Sequence, residues 1–375
     1  MTVFWCGMSL LCLFHKPQAY SQSERRSLTQ FPDLSVSSLA CGTFMEEFDT
    51  YSADQFPFRD SFRSLKAASV LYLFGQSDYN GIYLTDGFLS ETEYPLSQKM
   101  LKNAADRFQY LYDRYLKDTD TRIYLSIVPD KNYFLAEQSG HLSLDYPLLV
   151  STLQQAAPYM DYLSVFSCLS ADDYYRTDTH WKQENLLPVA DTLLSGMNDT
   201  SVTNAKKSAA SAICLSDIAP HERGYVTHTL PVPFYGVYYG HSALRLPPDT
   251  LTYLTSDTLR DCIVTSYSSG KPVNKELYDF QKAYGRDAYE IFLSGSEAFL
   301  TIENPNADTD RELVIFRDSF GSSLAPLLAE AYSKITLIDI RYMASASVGN
   351  FITFTDQDVL FLYSTILLNN SGALR

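Results

Sequence analysis

Apolar positions along the chain follow two alternating patterns. From Met100 they recur at helical spacing, which predicts an amphipathic helix with one buried stripe. The run 122–128 is short, rich in β-forming residues and ends at Pro129, as a buried strand does. The same alternation predicts helices at 148–157, 182–194 (kinked at Pro188) and 322–333, and strands at 162–166, 313–316, 335–340 and 359–363. This order predicts an α/β fold, with a parallel sheet covered by helices on both faces.

Two regions depart from that rhythm. Near the N-terminus, a helix is predicted at 58–73, followed by hairpin turns at Asn80-Gly81 and Asp86-Gly87. Between about 195 and 265 the sequence predicts an inserted β-rich segment of short antiparallel strands. Its aromatic residues are expected either to line a glycan groove or to pack against the sheet: Phe234, Tyr235, Tyr238, Tyr239 and Tyr253.

The first residues form an apolar run, 3–14, followed by His15, Lys16 and a polar stretch. The run is short for a bilayer span and fits a signal segment or a membrane-anchor remnant, although a buried N-terminal strand or helix remains an alternative. We therefore expect an exported protein. The predicted division is 1–20 as this remnant, 21–99 as an N-terminal extension packed on the main domain, and 100–375 as a catalytic domain with the insertion at about 195–265.

Charge and cysteine content argue against two kinds of ligand, nucleic acid and zinc. The chain has 375 residues and a formal net charge of -15, and it lacks the clustered Lys and Arg that bind a phosphate backbone. Nucleic acid is therefore not expected as a partner. The six cysteines form no CxxC pair and have no metal-ligand spacing with histidine, so a zinc site is disfavoured. No cofactor is predicted.

Candidate chemistry lies in two separate segments. Asp178 and His180 stand one residue apart in the loop after the strand predicted at 162–166, and Ser319 follows the strand predicted at 313–316. Ligands of open α/β sheets bind at the carboxyl ends of the strands, so these residues are expected at one edge, together with Lys131 and Asn132. Acid, base and nucleophile together can attack an ester carbonyl.

Simpler roles remain open for the same residues. Asp318 or Ser319 would suit the N-cap of the following helix, and Thr177 or Asp178 the N-cap of a helix starting near Trp181. A helix N-terminus there would also favour a neutral His180. An Asp-x-His pair can bind a metal, but no further ligand stands at suitable spacing.

The segments TDTHW, 177–181, and RDSFGSSLAPLLAEAYSKITLIDIRY, 317–342, resemble the DHHW family of bacterial envelope proteins. That family is related to the alginate O-acetylation proteins AlgX and AlgJ, which are SGNH-hydrolase-like. The resemblance implies that Asp178 orients, His180 is the general base and Ser319 is the nucleophile. Thr179 stands where the family name implies a histidine.

The resemblance also implies a function and a location. It indicates a serine esterase or O-acetyltransferase acting on acetylated polysaccharide, membrane-anchored or on the outer face of the cell envelope, with a membrane acetyl-donor protein as a further partner. A non-catalytic polysaccharide-binding or assembly protein of the same fold is the alternative, and metal-dependent phosphoester hydrolysis ranks last. Further candidates for the oxyanion hole or its support are Gly321, Phe320, Lys131, Asn132, Trp181 and Arg176.

Overall fold

The computed structural model describes residues 7–8, 10–12, 14–21, 23–198 and 219–375. The described chain divides into two compact units. The N-terminal unit runs up to Glu91 and also takes in Arg176–Asp178 and Tyr235–Pro248. The sheet unit comprises Thr92–Tyr175, Thr179–Phe234 and Asp249–Arg375. The domain boundaries expected from the sequence, after residues 20 and 99, stay predictions.

A mixed sheet forms the centre of the sheet unit. Its strands are β1 Arg122–Val128, β2 Asp161–Tyr162, β3 Ile263–Ser266, β4 Val273–Lys275, β5 Phe299–Glu303, β6 Glu312–Arg317, β7 Lys334–Ile338 and β8 Asp358–Ser364. Among the described residues they pair in the order β4-β3-β5-β7-β6-β8-β1-β2. The pairs from β7 to β2 are parallel, and β4, β3, β5 and β7 pair antiparallel. The predicted α/β class is confirmed. The antiparallel strands at one side of the sheet were not part of the predicted parallel sheet.

The sheet is covered on both faces, as the alternating order of strands and helices predicts. In β6, Leu313 and Ile315 belong to one core cluster, whereas Val314 and Phe316 belong to the other. Successive strand residues point to opposite faces, so two separate apolar cores hold the sheet. Both cores include fully buried positions of the neighbouring strand β8.

Helices connect these strands. Those of the sheet unit are Gln98–Leu111, Lys131–Ser139, Tyr146–Ala156, Leu187–Asn198, Asp257–Asp261, Gly321–Leu328 and Thr365–Asn369. The helix predicted at 182–194 starts later, at Leu187. Pro188 therefore occupies its first turn, where no internal N–H is needed, and the predicted kink is wrong. In place of the strand predicted at 162–166, β2 covers only Asp161–Tyr162, and residues 166–168 form a 3₁₀ turn.

The insertion contains an antiparallel ribbon, as predicted, formed by Val226–Phe234 and Asp249–Thr255. Residues 199–218 of the predicted insertion lie outside the described residues. The Phe234 side chain is 1% exposed and meets the Tyr175 ring edge to face. At this position the aromatic side chain packs against the core and does not line a groove.

The N-terminal unit is mainly helical. Its elements are the helices Val36–Cys41, Thr43–Asp54, Arg59–Ala68 and Val237–Ser242 and the strand pairs Tyr20–Ser21 with Arg26–Ser27 and Ile82–Thr85 with Phe88–Glu91. Asp86 and Gly87 both have positive φ, which confirms the predicted hairpin turn. Glu24 pairs with Arg59 at 2.6 Å and with Arg63 at 3.2 Å, so two separate charged segments of the sequence meet here.

The predicted leader falls partly outside the described residues. Within the part of the chain that the structure describes, no helix has both the length and the apolar character needed to cross a membrane.

Candidate active site

Ser319 lies in the turn between β6 and the helix Gly321–Leu328 and is partly exposed. The buried carboxylate of Asp318 fixes this turn. Its Oδ1 accepts from the Phe320 N–H at 3.0 Å, and its Oδ2 accepts from the Ser364 N–H at 2.8 Å, at the end of β8. The assigned N-cap residue, Phe320, has no side-chain cap of its own. The Asp318 carboxylate accepts from the Phe320 N–H and the Asp318 carbonyl from the Gly321 N–H, so Asp318 does cap this turn, as the capping alternative predicted.

The His180 imidazole meets the Ser319 hydroxyl. Nε2 of His180 lies 2.8 Å from Oγ of Ser319, within hydrogen-bond distance. The histidine is 7% exposed, stacks on the Tyr289 ring and packs at a tilt on the Phe320 ring. A hydroxyl in hydrogen-bond contact with an imidazole is the pair that general-base activation of a nucleophile requires.

The loop that carries His180 is held by its own backbone. The Tyr175 N–H donates to the His180 carbonyl at 3.0 Å, and Tyr174 pairs with Trp181 in an isolated β-bridge. The expected helix start near Trp181 is therefore wrong. The N-cap roles of Thr177 and Asp178 and the helix-dipole argument for His180 fail with it.

Trp181 ties this loop to the helix that follows Ser319. The indole is fully buried, and its Nε1–H donates to Ser323 Oγ at 2.9 Å and to the Phe320 carbonyl at 3.2 Å. Gln183 adds a second link, because its Nε2–H donates to the Ser323 carbonyl at 2.9 Å. These contacts set the position of the histidine loop against the serine turn.

Lys131 and Asn132 follow β1, as the sequence predicted, and both are buried. The Lys131 Nζ donates to the Tyr175 carbonyl at 2.8 Å and so braces the histidine loop. The Asn132 side-chain amide donates to the Leu142 carbonyl at 3.0 Å. An oxyanion role for either residue stays a prediction.

The backbone N–H groups of Phe320 and Gly321 were also expected to serve an oxyanion hole. In the structure the Phe320 N–H donates to the Asp318 carboxylate, and the Gly321 N–H donates to the Asp318 carbonyl at 3.2 Å. A Cβ at residue 321 would lie 2.8 Å from the Arg317 Cβ. The glycine therefore permits close packing on Arg317, and its oxyanion role stays a prediction.

Arg317 is a fully buried cation directly below the serine turn. Its Nη1 donates to Ser322 Oγ at 3.0 Å and to the Asp318 carbonyl at 3.3 Å, and it lies 3.8 Å from the Asp339 carboxylate. Burial lowers the pKa of the Arg317 guanidinium, and the negative charge of Asp339 opposes that shift. This pair supports the turn from inside the core.

Asp178 belongs to the N-terminal unit. It is fully buried, its Oδ2 accepts from the Val237 N–H at 2.8 Å, and Arg25 Nη2 lies 3.7 Å away. Gly236 packs so closely that a Cβ there would be 2.3 Å from the Asp178 Cα. Arg176, in the same unit, is exposed, and its guanidinium lies over the Phe88 ring at 5.9 Å.

The sequence reasoning missed Tyr289, Ser323, Gln183 and Arg317. Arg317 did leave a signal, since a charge ends the apolar run of β6. Gln183 and Ser323 lie among other polar residues beside the two candidate segments, and nothing in their spacing marks a link between them, while Tyr289 lies far from both. Across the described ranges, no group of three or more His, Cys, Asp or Glu residues is placed to hold a metal ion.

Comparisons with known proteins identify the fold. No protein-family model and no curated protein matches the chain. A DHHW family protein from Eubacterium siraeum matches in structure with a TM-score of 0.60 and 22% identity, covering 79% of this chain and 95% of that one. PatB1 of Bacillus cereus, solved with a sulfonyl adduct, has a TM-score of 0.60 and 17% identity, covering 76% of this chain and 95% of its own.

A weaker match is the O-acetyltransferase domain of Pseudomonas putida AlgJ, with a TM-score of 0.45 and 14% identity, covering 77% of this chain and 92% of that one. The fold assignment therefore rests on the first two structures. The chain shares the fold of a DHHW family protein and of PatB1. This confirms both the predicted SGNH-hydrolase-like fold and the predicted resemblance.

Proposed function

We propose that this protein is a serine-dependent acyl-transfer enzyme, an esterase or O-acetyltransferase that acts on acetylated polysaccharide of the cell envelope. The observation that carries the proposal is the 2.8 Å contact between His180 Nε2 and the partly exposed Ser319 Oγ. Partial exposure matters, because a polymeric substrate has to reach the nucleophile.

The reaction proceeds in two halves. Ser319 Oγ attacks the ester carbonyl carbon while His180 takes the hydroxyl proton, and the proton then passes to the departing alcohol. The acetyl group is now an ester of Ser319. In the second half, water or a sugar hydroxyl attacks this ester, gives its proton to His180 and takes the acetyl group, and the proton returns to Ser319.

Asp178 is proposed as the orienting carboxylate of His180, on the strength of its sequence position two residues earlier. In a Ser-His-Asp triad the carboxylate selects the imidazole tautomer whose free nitrogen faces the serine. Asp178 is itself held in place by the Val237 N–H and by close packing of Gly236, so its position is well defined within its unit.

The structural relatives support an acyl-transfer role. A sulfonyl adduct, as in the PatB1 structure, is what a protein nucleophile forms with a sulfonylating reagent. The proposal extends to export, to a place at the membrane or outer face of the envelope, and to a membrane protein as the acetyl donor. An envelope location suits the DHHW resemblance.

The test is covalent labelling with a fluorophosphonate probe, combined with an assay for acetate release. We expect the wild type to be labelled and the Ser319→Ala and His180→Ala variants to be spared. Adding sugar acceptors to an acetyl ester then separates transferase from esterase, because a transferase moves the acetyl group to the sugar rather than to water.

A second candidate function is a non-catalytic polysaccharide-binding or assembly protein. It is favoured by one observation, namely that the Phe320 and Gly321 amides both bond to Asp318 rather than pointing at an oxyanion. A wild type that stays unlabelled, releases no acetate and still binds acetylated polysaccharide would favour this candidate.

A further inference from the structure

The His180 imidazole lies face to face with the phenol ring of Tyr289. The ring centroids are 3.8 Å apart and the planes differ by 10°. Tyr289 is 4% exposed and belongs to the 3₁₀ turn Ala288–Ile291, far from His180 in the sequence. Stacking at this distance fixes the plane of the imidazole, and with it the direction in which Nε2 points.

Tyr289 is itself anchored to the helix that follows the nucleophile. Its hydroxyl lies 2.7 Å from Ser323 Oγ, which also accepts the Trp181 Nε1–H at 2.9 Å. The ring further packs on Phe292, with centroids 5.1 Å apart. Ser323, four residues after Ser319, therefore contacts both Trp181 and Tyr289. Trp181 follows His180 in the chain, and the Tyr289 ring stacks on the His180 imidazole.

We propose that Tyr289 is a positioning residue for His180 in the acyl transfer proposed above, on which this inference rests. Its ring keeps Nε2 directed at Ser319 Oγ. When His180 takes the serine proton, the imidazolium that forms lies over the negative face of the phenol ring, which stabilises the cation. The stack thus acts before and during proton transfer.

The test compares Tyr289→Phe, which keeps the ring, with Tyr289→Leu, which removes it. Phe299→Leu is the matched control, because Phe299 is also 4% exposed and packs on Tyr267 and Phe351 at another part of the sheet unit. With an acetyl ester as substrate, Tyr289→Leu should lower kcat about tenfold with little change in KM. Tyr289→Phe should retain most of the activity, and Phe299→Leu should match the wild type.

An NMR measurement detects the stacking of the His180 imidazole on the Tyr289 ring independently of catalytic activity. The imidazole protons of His180 should be shifted upfield by the Tyr289 ring in the wild type and in Tyr289→Phe, and should lose that shift in Tyr289→Leu. Unshifted wild-type resonances would overturn the inference, as would an equal loss of kcat in Tyr289→Phe or in Phe299→Leu.

The two proposals fail in different ways. A wild type without turnover or Ser319 labelling removes the proposed function and the positioning role with it. A wild type that turns over, beside a Tyr289→Leu variant with unchanged kcat, overturns the positioning role alone.

Discussion

His180 Nε2 and Ser319 Oγ lie 2.8 Å apart although the two residues come from distant parts of the sequence. Three other contacts hold them there: Trp181 to Ser323, Gln183 to the Ser323 carbonyl, and Lys131 to the Tyr175 carbonyl. The pair is therefore held in a largely buried, hydrogen-bonded frame. A preorganised pair of this kind suits a catalytic role.

The first prediction concerns Asp178. Asp178→Asn keeps an oxygen that can accept from the Val237 N–H, so the fold should persist, but it removes the charge. If the carboxylate orients His180, probe labelling of Ser319 should fall by roughly a thousandfold or more. Labelling rates and thermal unfolding of the variant measure the two effects separately.

Asp172→Asn is the control, because Asp172 is an exposed carboxylate in the same stretch of chain. It should be labelled like the wild type. Wild-type labelling of a folded Asp178→Asn variant would make Asp178 a purely structural anchor of the N-terminal unit.

The second prediction concerns the two hydrogen bonds that the Trp181 indole donates, to Ser323 Oγ and to the Phe320 carbonyl, here called the Trp181 clamp. Trp181→Phe keeps an aromatic ring but removes the donor to Ser323 Oγ and the Phe320 carbonyl. Losing a donor to buried acceptors should cost about 1–3 kcal/mol of unfolding free energy, measured by denaturant titration. The kcat should fall as well, because the clamp aligns the histidine loop. Unchanged stability and unchanged kcat together would refute the clamp.

Much of the sheet could be predicted from the sequence, and the reason is local. The run 122–128 forms a strand with the predicted bounds, because an apolar β-forming run ended by Pro129 admits few other structures. The predicted strand 313–316 differs from β6 by only one residue at each end. These segments are decided by their own periodicity and by burial on both faces.

The surroundings of the site depend on contacts between distant residues, which local patterns do not encode. The segment around Trp181 looked like a helix start, yet its indole bonds to Ser323 and the chain stays irregular. The strands β4 and β5 were not predicted, and β3 falls at the end of the predicted insertion. Tyr289 offered no signal, since one tyrosine among 28 has nothing to single it out.

The third prediction concerns the glycine after the serine turn. Gly321→Ala places a Cβ 2.8 Å from the Arg317 Cβ, so the buried arginine or the turn has to move. Overpacking of this kind should cost about 1–3 kcal/mol of unfolding free energy and should also slow labelling of Ser319. Gly372→Ala is the control, because a Cβ there meets nothing within 4 Å. If Gly321→Ala and Gly372→Ala had equal unfolding free energies, the Arg317 side chain would leave room for a Cβ at residue 321.

The fourth prediction is a pH dependence. Burial raises the pKa of Glu184 to about 7, and the Oε2 atom of this residue, in the described chain, has no hydrogen-bond partner. The folded state thus binds the proton more tightly than the unfolded state, whose glutamate has a pKa of about 4.3. The Glu184 contribution is fully present below about pH 4 and is lost as the pH rises to about 7.

Glu184→Gln removes this titration. Its unfolding free energy relative to the wild type should therefore increase between about pH 5 and about pH 8, as measured by urea titration at each pH. A difference that is the same at both pH values would mean that Glu184 titrates normally in the folded protein.

The central claim is that Ser319 carries the acyl group during turnover. The most direct measurement is peptide mapping by mass spectrometry after rapid acid quenching of the enzyme with an acetyl ester. We predict an acetyl group on the peptide containing Ser319 in the wild type, and its absence in His180→Ala and Ser319→Ala. Turnover without any acetyl group on Ser319, or equal acetylation in His180→Ala, would contradict the account.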